Sequence, residues 1–566
     1  MATEDVEMLA GSNDAKKKRY DRQLRLWGEH GQQAMEDCSI CLINGSATGT
    51  ETLKNLVLPG IGSFTVVDGA VVTVADTGNN FFIEESMIGT PRAQCVTQLL
   101  QELNEHVTGS YINEDIAQVL EARPGFLESF GLIVATQVAA GELKQIAGVC
   151  AAKSVPLIIV HTYGFMGYLR LSLHEHHVVE AHPDHPRSDM RVLAPPPALK
   201  QFIGERYQDL TALSSTEYAH VPYLVLLIKA LGEWSAQNDG VLPKVYKQKK
   251  EVCEIVKSYR RLDIQADQNI EEAVTAANTA LSLPQASSSA ALVFSAARSR
   301  VTEIASELQM YASASGPDAA SAKLAAKKPQ LAFWLTAASV AAFVEAEGAG
   351  MLPLLGTLPD MTCSTETYVT LQNIYLQQAQ ADIAAVQAHM REIASIEGLP
   401  PDLVTVDYVK LFCKNSNDVQ VFNFSSADDE YTSKSINVGA LSASLSDDGS
   451  CGSLYLLLRA ARAFRAERSR WPGEVDSEMD TDVPVLKQCV VEVAKELGIN
   501  GGSCPVSDEL IHEVCRWAGA EMHSIASVMG GIASQEAIKA ITGQYKPLEN
   551  TFIWNGASGT TATLSL

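Results

Sequence analysis

The first 170 residues alternate short apolar runs with stretches in which apolar residues recur at helical spacing. Residues 39–44 (SICLIN) and 63–67 (SFTVV) are predicted to be buried parallel strands, with a helix between them at residues 50–58. The PGIG segment at residues 59–62 ends that helix, because proline and glycine do not readily continue one. Further helices are predicted at 92–103 and 143–153, and further strands at 131–135 and 156–160. The alternation predicts a mostly parallel α/β sheet with helices on both faces.

The pattern changes between about residues 200 and 420, where helical periodicity dominates. The clearest helical stretches are residues 269–281, 331–347 and 372–396. Residues 331–347 are apolar around most of the helix circumference, which is typical of a helix buried in a core. Two segments rich in serine and alanine, at residues 285–298 and 314–327, are predicted to be a mobile loop or the edge of an alanine-rich helix. The acidic segment at residues 473–482 is predicted to be a solvated loop.

The end of the chain returns to the first pattern, with a small-residue helix at 525–541 and short strands at 551–554 and 562–566. We therefore predict one α/β domain interrupted by a large, mainly helical insertion. Three separate domains in sequence are the alternative. The predicted boundaries are a flexible N-terminus at 1–18, the first part of the α/β domain at 19–170, the insertion at 171–505 and the second part at 506–566.

A glycine-containing turn, Gly45 to Thr50 (GSATGT), follows the first predicted strand. Such a turn can bring phosphates to a helix N-terminus, but only Gly45 and Gly49 remain of the three glycines that are usual. A structural strand-to-helix turn is favoured over a nucleotide site. Asp68 ends the second strand, where an acid can hold a ribose hydroxyl, although structural strands also end in aspartate.

Composition narrows the class of protein. Hydrophobic residues make up 46% and charged residues 19%, as in ordinary globular proteins, and the formal net charge is −24. That charge argues against nucleic acid as a partner, because phosphate contacts need an excess of lysine and arginine. The eleven scattered cysteines do not resemble a disulfide framework, and no apolar run reaches about 18 residues. We expect no membrane contact and a location in the cytosol and nucleus.

Five histidines fall within twelve residues, at positions 174, 176, 177, 182 and 185. Five imidazoles can bind zinc, but their spacing fits no usual ligand pattern. A solvated loop after a strand is favoured, and no metal site is predicted.

The segment from Arg19 to Gly28 (RYDRQLRLWG) resembles the N-terminal signature of ubiquitin-activating enzymes and their bacterial sulfur-carrier adenylating relatives. The glycine turn and residues 53–56 (LKNL) follow at that family's spacing. Ala520-Glu521 and residues 530–536 (GGIASQE) resemble its closing helix. The resemblance implies a Rossmann-like adenylation domain around an inserted catalytic-cysteine domain.

Within that superfamily the whole chain resembles the regulatory subunits of neddylation-activating enzymes, which in plants are the auxin-resistance type. Supporting stretches are residues 55–64 (NLVLPGIGSF), 161–168 (HTYGFMGY) and 358–361 (LPDM). The resemblance implies a non-catalytic subunit that pairs with a catalytic activating subunit. Through that complex it would meet the modifier RUB/NEDD8 and its conjugating enzyme, and so serve cullin modification.

Departures from the active family members predict a degenerate, pseudo-adenylation site. Asp68 keeps the first position of an Asp-x-Asp pair, but Ala70 takes the second. Asn79 and Asn80 stand at an Arg-Gln pair that lines the phosphates, and Gln137 replaces an aspartate that helps to hold Mg²⁺. We therefore expect this chain to bind no cofactor, with ATP and Mg²⁺ on the partner subunit.

The catalytic thiol is also predicted to be missing. Cys253 and Cys413 lie in helix-like contexts, and Cys363 is the one candidate in a loop-like setting. An ordinary loop thiol is favoured for Cys363, because no base or cation that would lower its pKa is evident in the sequence.

Arg22 is predicted to survive as a functional residue. The resemblance implies that the N-terminal arm of one half reaches the other half's ATP site, where Arg22 acts in trans as an arginine finger. The alternative is that Arg22 caps a helix or pairs with Asp21 or another local acid. Two other functions stay open from the residues alone: a standalone adenylating enzyme with an atypical site, and a nicotinamide-dependent oxidoreductase.

Overall fold

The computed structural model describes residues 17–184, 188–261, 268–282, 285–427, 430, 437–445, 449–499 and 504–566. The chain divides into two compact units. The first, the sheet unit, contains residues up to 176 and from 422 onwards, and the second, the helical unit, contains residues 177–421. The predicted α/β fold with a large, mainly helical insertion is confirmed. Residues 1–16 of the flexible N-terminus predicted at 1–18 lie outside the described residues.

Among the described residues, ten strands form two sheets. They are β1 (Ser39–Ile43), β2 (Ser63–Val67), β3 (Thr108–Ile112), β4 (Leu132–Thr136), β5 (Leu157–Tyr163), β6 (Met166–Ser172), β7 (Glu175–Val178), β8 (Gln420–Asn423), β9 (Thr551–Asn555) and β10 (Thr560–Leu564). The large sheet has the order β10-β9-β6-β5-β4-β1-β2-β3. The five strands β3, β2, β1, β4 and β5 are parallel to one another, and β6, β9 and β10 are antiparallel to their neighbours. Strands β7 and β8 pair in a separate sheet.

Twenty α-helices accompany these strands in the described part of the chain. In the first part of the sheet unit they are α1 (Asp21–Asp37), α2 (Ala47–Val57), α3 (Val74–Asn79), α4 (Arg92–Gln101), α5 (Ile116–Ala122) and α6 (Ala140–Lys153). In the helical unit they are α7 (Pro197–Arg206), α8 (Ser215–Ala219), α9 (Tyr223–Gln237), α10 (Tyr246–Ser258), α11 (Gln268–Ala280), α12 (Ser288–Ser315), α13 (Pro317–Glu345), α14 (Thr365–Ile396) and α15 (Val406–Asn415). The sheet unit ends with α16 (Val438–Ala443), α17 (Cys451–Arg468), α18 (Met479–Glu496), α19 (Asp508–Trp517) and α20 (His523–Thr542). No helix among the described residues is long and apolar enough to cross a membrane.

The central sheet is buried on both faces, which explains the nearly continuous apolar runs of its strands. Because side chains alternate along a strand, Ile40 and Leu42 of β1 enter one core and Cys41 and Ile43 enter the other. The first core is covered by α1, α2, α4 and α20, and the second by α5, α6, α17, α18 and α19. The sheet unit therefore has three layers.

Helices α2 and α20 pack closely because Gly530 lies between them. A Cβ at Gly530 would stand 2.7 Å from the Cβ of Glu51 and 2.8 Å from the backbone nitrogen of Thr52. The glycine of the closing-helix motif thus lets two helix backbones approach. This contact brings the two ends of the chain together beside β1.

The helical unit holds two further cores. One is built around α9, α10 and α11, and the other around α12, α13, α14 and α15. Leu331, Phe333, Trp334 and Val340 of α13 are buried, as predicted for the apolar stretch at 331–347. The segments at 285–298 and 314–327 belong mostly to α12 and α13, so the helical alternative predicted for them is the correct one.

The insertion is shorter than predicted. The helical unit spans residues 177–421, whereas the prediction was 171–505. Helices α17 to α19 pack on the sheet, where Leu457 and Phe464 enter its second core. Helical periodicity shows that a segment has an apolar face, but not which core receives it. The acidic segment at 473–482 is also not wholly a solvated loop, since Asp482 is buried and pairs with Arg470 at 2.6 Å.

Candidate functional site

The glycine turn lies at the carboxyl end of β1. Asn44 has a left-handed φ of 66°, Ser46 is the extended N-cap, and α2 starts at Ala47, three residues before the predicted start at 50. Gly49 is therefore in the first turn of α2 rather than in the loop. A Cβ on Gly49 would stand 2.5 Å from the Asn44 carbonyl oxygen and 2.8 Å from Thr136 Oγ1. Gly49 is needed for the helix to pack on the strand ends, which is a structural role.

The N-terminus of α2 is occupied by the chain's own carboxylate, that of Glu521. Its Oε1 accepts a hydrogen bond from the Thr48 backbone N–H at 2.7 Å and from Ser46 Oγ at 3.0 Å. The Thr48 hydroxyl donates to the same oxygen. A helix N-terminus attracts an anion through its unpaired N–H groups and its dipole. Glu521 therefore takes the position at which a bound phosphate would meet this helix.

Asp68 is the centre of a buried ion pair. It is 2% exposed, and its Oδ2 accepts Arg92 Nε at 2.7 Å and the Gly45 N–H at 2.9 Å. Its Oδ1 accepts the Ala70 N–H at 2.9 Å. Both oxygens thus accept hydrogen bonds from the protein, which is typical of a structural aspartate at a strand end.

Arg92 also binds a second acid, Asp76 of α3, through Nη1 at 3.0 Å. Burial acts to raise the pKa of Asp76, but hydrogen bonds from Thr73 and the Arg92 guanidinium outweigh it and lower that pKa. The guanidinium joins the end of β2 to α3. It neutralises the acids at this edge of the sheet.

Asn79 and Asn80 also form hydrogen bonds within the chain. Asn79 Nδ2 donates to the Glu521 carbonyl oxygen at 3.1 Å, which helps to hold the segment that carries the carboxylate. Asn80 is buried, donates to Thr50 Oγ1 at 3.0 Å and accepts the Phe82 N–H at 3.2 Å. Neither amide can replace a guanidinium as a charged phosphate contact.

Gln137 follows β4 with a left-handed φ of 54°. Its amide forms a reciprocal pair with the backbone of Thr162: Nε2 donates to the carbonyl oxygen at 2.9 Å, and Oε1 accepts the N–H at 3.1 Å. Thr162 Oγ1 in turn lies 2.9 Å from Thr48 Oγ1. Gln137 thus ties the end of β4 to β5, and its side-chain oxygen is already used.

The structure brings all seven predicted positions together at one edge of the sheet. They are Gly45, Gly49, Asp68, Ala70, Asn79, Asn80 and Gln137. These residues do not fit a magnesium triphosphate. A carboxylate already occupies the helix N-terminus, and Asp68 at the end of β2 is paired with Arg92. The arrangement favours a closed, self-satisfied site.

Sequence reasoning missed the two residues that close the site, Glu521 and Arg92. Glu521 was noticed as part of a motif, but nothing in its surroundings indicates a partner that lies 473 residues away. Arg92 begins a predicted helix, and an arginine there would normally be read as solvated. Only the pairing of β2 with the following helix puts it beside Asp68.

The three arginines of the N-terminal signature differ in their contacts. Arg19 donates to the Leu103 carbonyl oxygen at 2.9 Å, and Arg25 pairs with Asp21 at 2.9 Å. Arg22 is exposed and has no hydrogen bond or ion pair with any residue in the described part of the chain. The alternative that Arg22 pairs with Asp21 is therefore not what the structure has.

The thiols of the helical unit show no sign of activation. Burial raises the pKa of Cys413 to about 12, and it also raises the pKa of Cys253. The pKa of Cys363 is raised too, by partial burial and then by the charges of Asp360 and Glu272. A raised pKa reduces the thiolate fraction, which makes a poor nucleophile.

The histidine cluster is partly ordered rather than a solvated loop. His176 is buried within β7, and the ring of His177 stacks on Phe333 with centroids 4.2 Å apart. His185 lies outside the described residues. Across the described ranges, no group of three histidine, cysteine, aspartate or glutamate side chains is placed to hold a metal ion.

Residues 20–564 match the ThiF family. The chain is 38% identical over 560 residues to the NEDD8-activating enzyme E1 regulatory subunit of Gallus gallus, covering 98% of this chain and 99% of the relative. It is 36% identical over 552 residues to the NEDD8-activating enzyme E1 regulatory subunit AXR1 of Arabidopsis thaliana, covering 97% and 96%. Among solved structures, E. coli tRNA N6-threonylcarbamoyladenosine dehydratase in complex with AMP aligns with 27% of this chain and 65% of its own, at 19% identity and a TM-score of 0.25.

Proposed function

The chain belongs to the ThiF family and, within it, to the NEDD8-activating enzyme E1 regulatory subunits, and from this we propose that it is the regulatory half of a heterodimer that activates a RUB/NEDD8-type modifier. Its catalytic partner would carry the adenylation site and the catalytic cysteine. The modifier and its conjugating enzyme would meet this chain only through that complex. The names of the relatives favour this function over a standalone adenylating enzyme or a nicotinamide-dependent oxidoreductase.

The non-catalytic role rests above all on Glu521. A triphosphate brought to the N-terminus of α2 would meet a carboxylate that already accepts the Thr48 N–H. Like charges this close repel, and displacing Glu521 would break its hydrogen bonds to Ser46 and Thr48. The chain is thus proposed to bind no ATP and no Mg²⁺ at this site, and both belong to the partner subunit.

The positive contribution is proposed to come from Arg22. An exposed guanidinium without an internal partner is available to another chain, unlike the engaged side chains of Arg19 and Arg25. A guanidinium can bind phosphate oxygens bidentately and offset the charge that develops during adenylate formation. Arg22 would then act in trans on the ATP of the catalytic subunit.

Substitution of Arg22 in the reconstituted heterodimer tests this role. We expect Arg22→Ala to slow single-turnover adenylate formation by about 100- to 1,000-fold, the range for losing one preorganised donor. Arg22→Lys should recover only part of the rate, because an ammonium does not bind bidentately. Arg25→Ala is the matched control, as it removes the same charge one helical turn away.

Two results would overturn the role of Arg22. One is an unchanged rate for Arg22→Ala in a dimer that still assembles. The other is an equal loss in Arg25→Ala, which would indicate a general effect of charge on this helix. Co-purification of the two subunits must accompany both measurements, so that failed assembly is not mistaken for slow chemistry.

A further inference from the structure

A second feature of the sheet unit lies away from the degenerate site. A cavity of about 320 Å³ opens between residues 138–141, at the start of α6, and the end of α17. Its volume lies at the lower end of the range for small-molecule sites. The described residues that line it include Arg462 and Arg465 but no aspartate or glutamate. Two guanidinium groups without an acid are unusual in a chain whose net charge is −24.

The start of α6 supplies hydrogen-bond donors to this cavity. Ala139 is the N-cap residue, and its methyl side chain cannot accept a hydrogen bond from the first turn. The N–H groups of Ala140 and Gly141, both of which line the cavity, therefore have no side-chain cap, and Glu142 is the one acid in this first turn. A helix end of this kind attracts anions.

Arg462 is the second, independent observation. It is 4% exposed, and neither its Nε nor its Nη1 has a hydrogen-bond partner in the structure. Buried donors of this kind are rare, because leaving them unpaired costs free energy. The adjacent Glu430 carboxylate accepts the hydroxyls of Tyr168 and Tyr455, and its pKa is lowered partly by the charge of Arg462. The Arg462 guanidinium carbon lies 5.2 Å from the centroid of the Tyr168 ring. Nε and Nη1 are closed off from solvent, so Arg462 lines the cavity with the rest of its side chain.

The remaining walls fit a ligand with an apolar part. Arg465 lies flat over the Trp471 indole, 4.6 Å from the ring centroid. His161 packs edge-on against the same indole, with ring centroids 5.6 Å apart. Burial, together with the charges of Arg462 and Arg465, lowers the pKa of His161, so the imidazole is neutral and adds no competing charge. Trp471 offers an aromatic surface next to the guanidinium groups.

We propose that this cavity binds a small organic phosphate. Its phosphate group would accept hydrogen bonds from Arg462, Arg465 and the first turn of α6, and its apolar part would lie against Trp471. A water molecule takes up about 30 Å³ of liquid, and a phosphate ion is only a few times larger. A bare phosphate ion would therefore leave most of the cavity volume unfilled. Neither the degenerate nucleotide site nor Arg22 contributes to this site.

Isothermal titration of the full chain at constant ionic strength tests the proposal, with phenyl phosphate and inorganic phosphate as probes. We expect saturable one-to-one binding of both, with phenyl phosphate at least about tenfold tighter because its ring covers Trp471. Arg462→Gln should weaken phenyl phosphate at least about tenfold. Arg468→Gln is the matched control, because Arg468 lies on the same helix and carries the same charge outside the cavity.

Gly141→Asp keeps the test decisive if Arg462→Gln does not fold. A Cβ at Gly141 meets no atom within 4 Å, and an aspartate in the first helical turn is favourable for the helix. Its carboxylate would occupy the phosphate position and abolish binding. Gly148→Asp on the same helix, where a Cβ also meets nothing within 4 Å, should bind normally.

The outcomes separate the parts of the proposal. Absence of saturable binding to the wild-type chain would overturn the site. Equal weakening by Arg468→Gln would reduce it to general surface charge and overturn it as well. Inorganic phosphate that binds as tightly as phenyl phosphate would overturn the assignment of an organic ligand.

Discussion

The Glu521 carboxylate accepts the Thr48 backbone N–H at 2.7 Å, at the N-terminus of the helix that would hold a phosphate in an active relative of this fold. The contact joins the start of the sheet unit to its end. It replaces an external anion with an internal one. The helix N-terminus, which attracts an anion, is thus satisfied by a side chain of the same chain.

Glu521→Ala tests whether this carboxylate stabilises the helix start. We expect the free energy of unfolding of the sheet unit to fall by about 1–2 kcal/mol, from the lost hydrogen bonds and the lost charge at the helix N-terminus. The Thr48 amide should lose protection in hydrogen exchange. Glu142→Ala is the control, because it removes an acid from the first turn of α6 that makes no such set of hydrogen bonds. An unchanged Thr48 amide would contradict the assignment.

Arg92→Gln tests the buried ion pair. It would leave Asp68 buried without its guanidinium, and we expect a loss of about 3–5 kcal/mol in the free energy of unfolding. The double variant Arg92→Gln with Asp68→Asn should recover part of that loss, because no unpaired charge remains. Urea unfolding of the wild-type chain, of Arg92→Gln and Asp68→Asn alone, and of the double variant gives the coupling energy. Equal losses in the single and the double variant would show that Arg92 acts by packing alone.

Gly49→Ala tests whether the second glycine of the turn is structural. Its Cβ would approach the Asn44 carbonyl oxygen to 2.5 Å, so we expect a loss of about 1–3 kcal/mol in the free energy of unfolding. Gly148→Ala, in an open position of another helix, should instead stabilise by about 0.5–1 kcal/mol. Thermal unfolding of the pair distinguishes them. A tolerated alanine at 49 would mean that α2 can move away from β4.

His161 predicts a pH dependence. Burial, followed by the charges of Arg462 and Arg465, lowers its pKa in the folded chain well below the usual value of about 6.5. Above that value both the folded and the unfolded states are neutral, and His161 has no effect. As the pH falls below it, only the unfolded state takes up the proton, so stability falls by at most about 1.4 kcal/mol per pH unit.

His161→Gln supplies the comparison for that pH dependence. A glutamine cannot titrate, so the unfolding free energy of this variant should decline less steeply than that of the wild-type chain between pH 6.5 and 5. Urea titrations at several pH values measure both slopes. Identical slopes would mean that His161 is protonated in the folded chain.

The sequence predicted where the degenerate site lies, for a simple reason. The carboxyl ends of parallel strands share one edge of a sheet, so the residues after β1, β2 and β4 must come together there. Asp68 was noticed at the end of a predicted strand, and Gln137 through the resemblance to the active family members. Their partners were not found, because the contacts of Asp68 with Arg92 and of Gln137 with Thr162 depend on side-chain directions that a single sequence does not contain.

The boundary of the insertion shows the same limit at a larger scale. Residues 451–468 were included in the predicted insertion, yet Leu457 and Phe464 of α17 pack on the sheet. Apolar periodicity is the same whichever core receives it. The closing contact of Glu521 with Thr48 is of this kind too, since it depends on α20 returning to α2 across the whole length of the chain.

ATP–pyrophosphate exchange by the isolated chain, in the presence of Mg²⁺ and the modifier, tests the central claim most directly. The chain alone should show no exchange above a blank reaction, because a triphosphate at the start of α2 would meet the Glu521 carboxylate. Addition of the catalytic subunit should produce exchange, and Arg22→Ala should slow it. ATP–pyrophosphate exchange activity that co-purifies with the isolated chain would contradict the account.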